Sequence, residues 1–184
     1  VKAIDGIFER LAKESIGSPH LMQEFCRALC NTHGVEETLD HQVVIDSIDD
    51  QIFKLVAQST GKVIFDKLSK GPKQRKYRIE RKLKDGSSMD IYGLTLHALA
   101  KLRPGLQKIK YEDIKVAIRE EAILESEPQG SEIVRVLDKM SKIATSDESS
   151  TPVIEWDKDE RVLHVTDPFF AFYLRWRQPN DTLD

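Results

Sequence analysis

The chain has 184 residues, 40% of them hydrophobic and 32% charged, which supplies a packed core and argues against extended disorder. No apolar run approaches the ~20 residues of a membrane span, and Val1-Lys2-Ala3-Ile4 lacks the basic-then-apolar start of a signal peptide. Cys26 and Cys30 are too few for a disulfide framework, so a reducing, cytoplasmic setting without membrane contact is expected. The chain begins without Met, which points to a segment of a longer protein. The net charge of −3 hides an asymmetry: residues 62–110 carry 14 basic and 4 acidic side chains, a net of +10, between two acidic ends. Such a basic waist meets a polyanion or pairs with carboxylates of its own chain.

Ile4, Ile7, Phe8, Leu11 and Ala12 recur at helical spacing, and the run stops at Ser15-Ile16-Gly17. Ser18 then caps a second helix with Pro19 in its first turn; Leu21, Met22, Phe25, Cys26 and Leu29 form its apolar face. A third helix is expected over Ser47–Ser69, weakened in the middle by Gly61. Residues 1–69 thus read as a three-helix module. Residues 70–86 read as a basic linker bounded by Gly71-Pro72 and Asp85-Gly86, partly extended around Tyr77–Ile79.

Residues 87–184 read as a second domain. Ser87 and Asp90 open a helix that closes at Arg103-Pro104-Gly105, a second helix spans Tyr111–Leu124, and a third starts at Gly130-Ser131. A polar loop over Thr145–Thr151 leads to two alternating strands, Val153–Trp156 and Arg161–Val165, joined by a turn at Asp157-Lys158-Asp159-Glu160. Asp167-Pro168 opens a short terminal helix holding Phe169, Phe170, Phe172, Tyr173 and Trp176. These aromatics surround the helix, so it packs beneath the hairpin or docks on another part of the protein. Three helices followed by a two-stranded wing is the order of a winged helix-turn-helix, and the expected fold is mainly α.

Candidate chemistry is sparse. No G-x-x-x-x-G-K-[ST] motif is present, so the chain by itself is not expected to hydrolyse nucleotide. Cys26, Cys30 and His33 share a helical face, but a zinc site would need His20 or His41 as a fourth ligand, and cysteines packed in the core are the simpler expectation. His97 and His164 have no nucleophile or carboxylate at a recognisable spacing, and Glu120-Glu121 and Asp159-Glu160 fall in acidic surface stretches. No catalytic residue and no metal ligand is assigned. If the winged helix meets DNA, its third helix enters the major groove and its wing touches the backbone. The candidate contacts are then Arg135, Lys139 and Lys142 on the helix, Lys158 and Arg161 at the wing, and Lys73, Arg75, Lys76 and Arg78 in the waist. Carboxylates interleave these cations, so a protein-contacting wing fits the pattern equally well.

Two stretches carry a resemblance. Ile16-Gly17-Ser18-Pro19-His20-Leu21 resembles the glycine-x-proline turn in the helical lid of AAA+ and STAND-type P-loop ATPases. Val162 through Trp176, with its Asp-Pro-Phe and Phe-Tyr-Leu-Arg-Trp runs, resembles the end of the winged-helix domain in prokaryotic members of that superfamily. The resemblance implies a C-terminal lid and winged helix, with ATP and Mg held by an upstream nucleotide-binding domain and no cofactor in this segment. Gly17, Ser18, Pro19 and His20 would be the part nearest the nucleotide, with His20 and Gln23 where related proteins often place a sensing Arg. The implied function is coupling of nucleotide state to DNA or protein contact. The alternative is the winged-helix DNA-binding module of a transcription regulator, its first helices serving dimerisation.

Overall fold

The structure is a computed structural model that describes residues 1–4, 6–73, 77–145 and 152–177. Among the described residues it forms eight α-helices and three small sheets. Strand β1 (Lys2–Ala3) pairs in parallel with β2 (Val44–Ile45), and helices α1 (Ile7–Glu14) and α2 (Pro19–Thr32) lie between them in the chain. Helix α1 turns Ile7 and Leu11 inward, and α2 turns Leu21, Phe25 and Leu29 inward, each stripe stepping by about one helical turn.

The helix expected over Ser47–Ser69 is two helices, α3 (Asp50–Thr60) and α4 (Lys62–Lys70), which meet at Gly61. The first module therefore contains four helices. Asp49 starts α3 by accepting from the Gln51 N–H at 2.9 Å. The break has a tertiary cause: a Cβ on Gly61 would stand 2.2 Å from Tyr173 Cβ. Where the two helices meet, only a residue without a side chain leaves room for Tyr173.

Residues 77–89 pack against the second half of the chain. Strands β3 (Arg81–Lys82) and β4 (Ser88–Met89) form an antiparallel hairpin, whose turn is held by Asp85 accepting from the Ser87 N–H and Oγ–H. Leu83 is buried, the Lys84 N–H donates to Glu121 O at 2.9 Å, and the Ile123 N–H donates to Lys82 O at 3.1 Å. Helix α5 (Ile91–Lys101) starts at Asp90, whose side chain accepts from the Gly93 N–H, rather than at Ser87. The reason is that Ser88 sits in the β3–β4 ladder.

Strand β5 (Lys108–Lys110), helix α6 (Tyr111–Glu121), a 3-10 turn at Leu124–Ser126 and helix α7 (Gly130–Ala144) follow. Strands β6 (Ile154–Asp157) and β7 (Val162–Val165) and helix α8 (Pro168–Trp176) complete the described chain. The expected two-stranded hairpin has a third strand: the antiparallel order is β5-β7-β6, with Ile109 opposite Leu163. Three residues are too few for an alternating signal, yet Lys108-Ile109-Lys110 buries its middle residue and exposes both lysines.

Helix α8 packs against the first half. The Phe172 ring centroid lies 4.9 Å from that of Phe25, Trp176 lies 4.8 Å from Phe53, and Tyr173 lies 5.3 Å from Phe65. One buried cluster therefore runs from Ile7 to Leu174 through both halves. No described helix is long and apolar enough to cross a membrane.

Candidate nucleic-acid interface

The turn between α1 and α2 is built from two successive residues of left-handed backbone, Ile16 at φ 52° and Gly17 at φ 74°. Gly17 adopts this freely, whereas a β-branched residue in that region stores about 1–3 kcal/mol of strain. The Ser18 N–H donates to Ser15 O at 2.8 Å, and Ser18 Oγ accepts from the Leu21 N–H at 3.3 Å. Pro19 and His20 are exposed in the first turn of α2, and that turn carries no carboxylate.

Directly before the turn, Glu14 is only 13% exposed in its side chain. It accepts a hydrogen bond from Trp176 Nε1 at 2.8 Å and lies 3.9 Å from Arg175, so the end of α8 is fastened to the end of α1. Arg175 also donates to Pro104 O at 2.6 Å, and the Arg103 guanidinium stacks over Trp176.

The candidate cations fall into two groups. Arg78 is built into the fold: its guanidinium binds Asp90 at 2.6 Å, donates to Lys70 O and Pro72 O, and lies over the Tyr92 ring. Lys142 and Lys158 both bind Asp138, at 2.8 and 2.7 Å. Arg161 lies over the Tyr111 ring at 4.1 Å with its own backbone at φ 53°. By contrast, Lys73, Arg135 and Lys139 are exposed and make no ion pair among the described residues. Arg75 and Lys76 lie outside the described residues.

Arg135 and Lys139 stand one turn apart on α7 and line a cleft of about 420 Å³ between that helix and Pro72, Tyr77, Arg78, Ile79 and Arg81. Tyr77, fully exposed, and Ile79, 73% exposed, line the same cleft. Glu132 also lines it, but Arg81 holds that carboxylate at 2.8 Å. Lys70 and Lys73 extend the cationic rim on the α4 side.

Hydrogen bonds from Lys142 and then Lys158 hold the Asp138 carboxyl below the usual carboxylate range. The wing turn is acidic and stays so: Asp157 accepts from the Glu160 and Asp159 N–H groups, which lowers its pKa. Burial pushes the Tyr92 hydroxyl up, against the lowering influence of Arg78. Burial also raises the Cys26 thiol, and Cys30 adds to that shift. Among the described residues no group of three His, Cys, Asp or Glu side chains is placed to hold a metal ion.

Sequence reasoning missed the His97–Glu121 pair, whose Nε2 and Oε2 atoms are 2.9 Å apart. The residues lining the cleft beside it, among them Lys101, Arg103 and Arg175, include no Ser, Thr or Cys nucleophile. It also missed Glu14, which has no distinctive local spacing, whereas Asp138 could be read as opposing the cations of its own helix and stands four positions before Lys142. Tyr77 and Ile79 did carry a signal: two large apolar side chains two positions apart in a basic extended stretch lie on one face. No family model, curated protein or solved structure matches this chain.

Proposed function

We propose that this chain is the C-terminal lid and winged-helix portion of an AAA+ or STAND-type ATPase, and that it couples nucleotide state to DNA contact. The observation that carries the reading is the Glu14–Trp176 hydrogen bond. It joins the strained turn, the part a bound nucleotide would touch, to the aromatic helix that follows the wing. A helix N-terminus free of carboxylates suits an anion, and the turn presents one in α2. The second half supports the winged-helix assignment by its order α5, β5, α6, α7, β6, β7 and its three-stranded antiparallel sheet.

The test uses the full-length product of the gene. Pro19→Ala and His20→Ala together are expected to weaken nucleotide affinity or turnover roughly two- to thirtyfold, the span of helix-terminus effects on an anion. Unchanged affinity and turnover would sink the lid assignment. The second reading, a winged-helix regulator, is favoured by Arg135 and Lys139 on the outward face of α7, which make no ion pair among the described residues. It predicts DNA binding by a full-length product that neither binds nor turns over nucleotide.

A further inference from the structure

We propose that the cleft between α7 and the wall formed by Pro72 and residues 77–81 receives a single strand of nucleic acid rather than a duplex. The inference narrows the DNA contact proposed above and rests on it.

Charge selects a polyanion. Both carboxylates beside the cleft floor are neutralised within the fold, Glu132 by Arg81 and Asp90 by Arg78. Arg135, Lys139, Lys70 and Lys73 make no ion pair among the described residues and leave the rim cationic. Glu80 is the one rim carboxylate not held by an Arg or Lys in the described contacts, and it accepts from Ser88 Oγ at 2.8 Å.

Aromatic exposure selects unpaired bases. The Tyr77 ring is wholly exposed at the cleft, beside an Ile79 that is also largely bare. Such a ring offers a stacking platform to a base that has left its pair, and a base inside a duplex presents no face to it.

The wing argues against a duplex. A helix in a major groove brings the wing to the neighbouring phosphate backbone. Here the wing turn exposes Asp159, Glu160 is paired with Lys108 at 2.6 Å, Lys158 is held by Asp138, and Arg161 is stacked on Tyr111. Phosphates would meet the Asp159 carboxylate there, with Lys108, Lys158 and Arg161 already engaged. A single strand in the cleft lies along α7 and residues 77–81 and does not require the wing.

The test is fluorescence anisotropy of the 184-residue chain with a labelled twelve-nucleotide thymidine strand, its uridine counterpart, and the same DNA strand in a duplex. The single strand should bind at least ~10-fold more tightly than the duplex at 50 mM salt. Four phosphate contacts predict a log-log salt slope of about −3, which R135A/K139A should roughly halve. Tyr77→Ala should weaken strand binding about 5- to 150-fold, as loss of one stacked base does, and Tyr77→Phe should restore it. Both Tyr77 variants change an exposed side chain, and a thermal melt checks that each is folded.

Equal or tighter duplex binding overturns the strand inference and leaves the DNA contact standing. An unaffected Tyr77→Ala variant also overturns it. Binding of neither nucleic acid removes the DNA contact as well, and a poly-glutamate peptide that binds in their place makes the cleft a docking site for acidic protein. The nucleotide-turnover test is untouched by any of these results.

Discussion

Replacing Phe172 by Ala is the most direct probe of how the two halves are joined. Phe172 is wholly buried on α8, with its ring 4.9 Å from Phe25 and 6.4 Å from Phe53, both in the first half. Truncating a buried Phe costs about 3–5 kcal/mol, and two aromatic neighbours place this site toward the upper part of that range. A loss of about 4 kcal/mol is a large share of the roughly 5–15 kcal/mol that stabilises a typical domain. With a urea m-value near ~2 kcal/mol/M, the midpoint should fall by about 2 M while m stays unchanged. The thermal midpoint should fall by roughly 8–16 °C. Trp fluorescence and far-ultraviolet circular dichroism should report the same transition, because the shared core makes residues on both sides of Gly71 unfold together. A loss below ~2 kcal/mol, or two transitions of which only one moves, would refute the argument that α8 holds the halves in a single cooperative unit.

Gly61→Ala should destabilise the fold by about 1–3 kcal/mol in chemical denaturation despite a helix-propensity gain near ~1 kcal/mol, because the new methyl meets Tyr173 Cβ at 2.2 Å. Arg78→Lys should cost about 2–3 kcal/mol in the same assay, since an ammonium cannot bind Asp90, donate to two carbonyls and stack on Tyr92 together; wild-type stability would contradict the structural role given to this residue. Asp138→Asn releases Lys142 and Lys158, so anisotropy should show tighter oligonucleotide binding at 50 mM salt and a smaller gain as salt rises. The Asp138 pKa is depressed in the folded chain, so its contribution is present above the ordinary carboxylate range and is lost as pH falls through the folded value. The variant should thus be less stable near neutral pH by at most ~1 kcal/mol, with the gap closing in acid. Asp167 behaves in the opposite sense: burial raises its pKa although it caps α8 by accepting from the Phe170 N–H at 2.6 Å. Its folded form gains stability as pH falls through the raised value toward the ordinary range. Asp167→Asn keeps the cap without the buried charge and should match or exceed the wild type at pH 7, whereas Asp167→Ala should lose about 0.5–2 kcal/mol.

What could be read from the sequence was local. Ser18-Pro19 and Asp167-Pro168 each place a capping oxygen and a ring with fixed φ side by side, and both open helices in the structure. The stripes of α2 and α7 were legible for the same reason, since each is repeated within its own helix, whereas of the stripe expected for α1 only Ile7 and Leu11 are buried and Ile4, Phe8 and Ala12 are exposed. The break at Gly61 was weaker evidence: a helix often tolerates one glycine, and the deciding contact comes from Tyr173, more than a hundred positions away. Strand β5 was too short to alternate visibly and exists because β7 offers it an edge. The charge pattern left two outcomes open, a polyanion partner or pairing within the chain; Arg78 and Arg81 take the second, mostly buried beside carboxylates that come later in the chain.

That redistribution of charge determines where a partner can act. Arg78 and Arg81 are consumed by the fold, whereas Arg135 and Lys139 on α7 and Lys70 and Lys73 at the end of α4 approach the cleft from two directions. Helix α4 begins at Gly61 against Tyr173 of α8 and ends at Lys70, whose carbonyl accepts from Arg78 at the cleft rim. Helix α8 in turn is fastened to Glu14 beside the strained turn. Under the proposed reading, movement of the turn would reach the cleft through two helices in direct contact. Glycine at position 61 matters to that arrangement because it lets α8 and α4 meet backbone to ring, with no side chain between them to absorb the displacement.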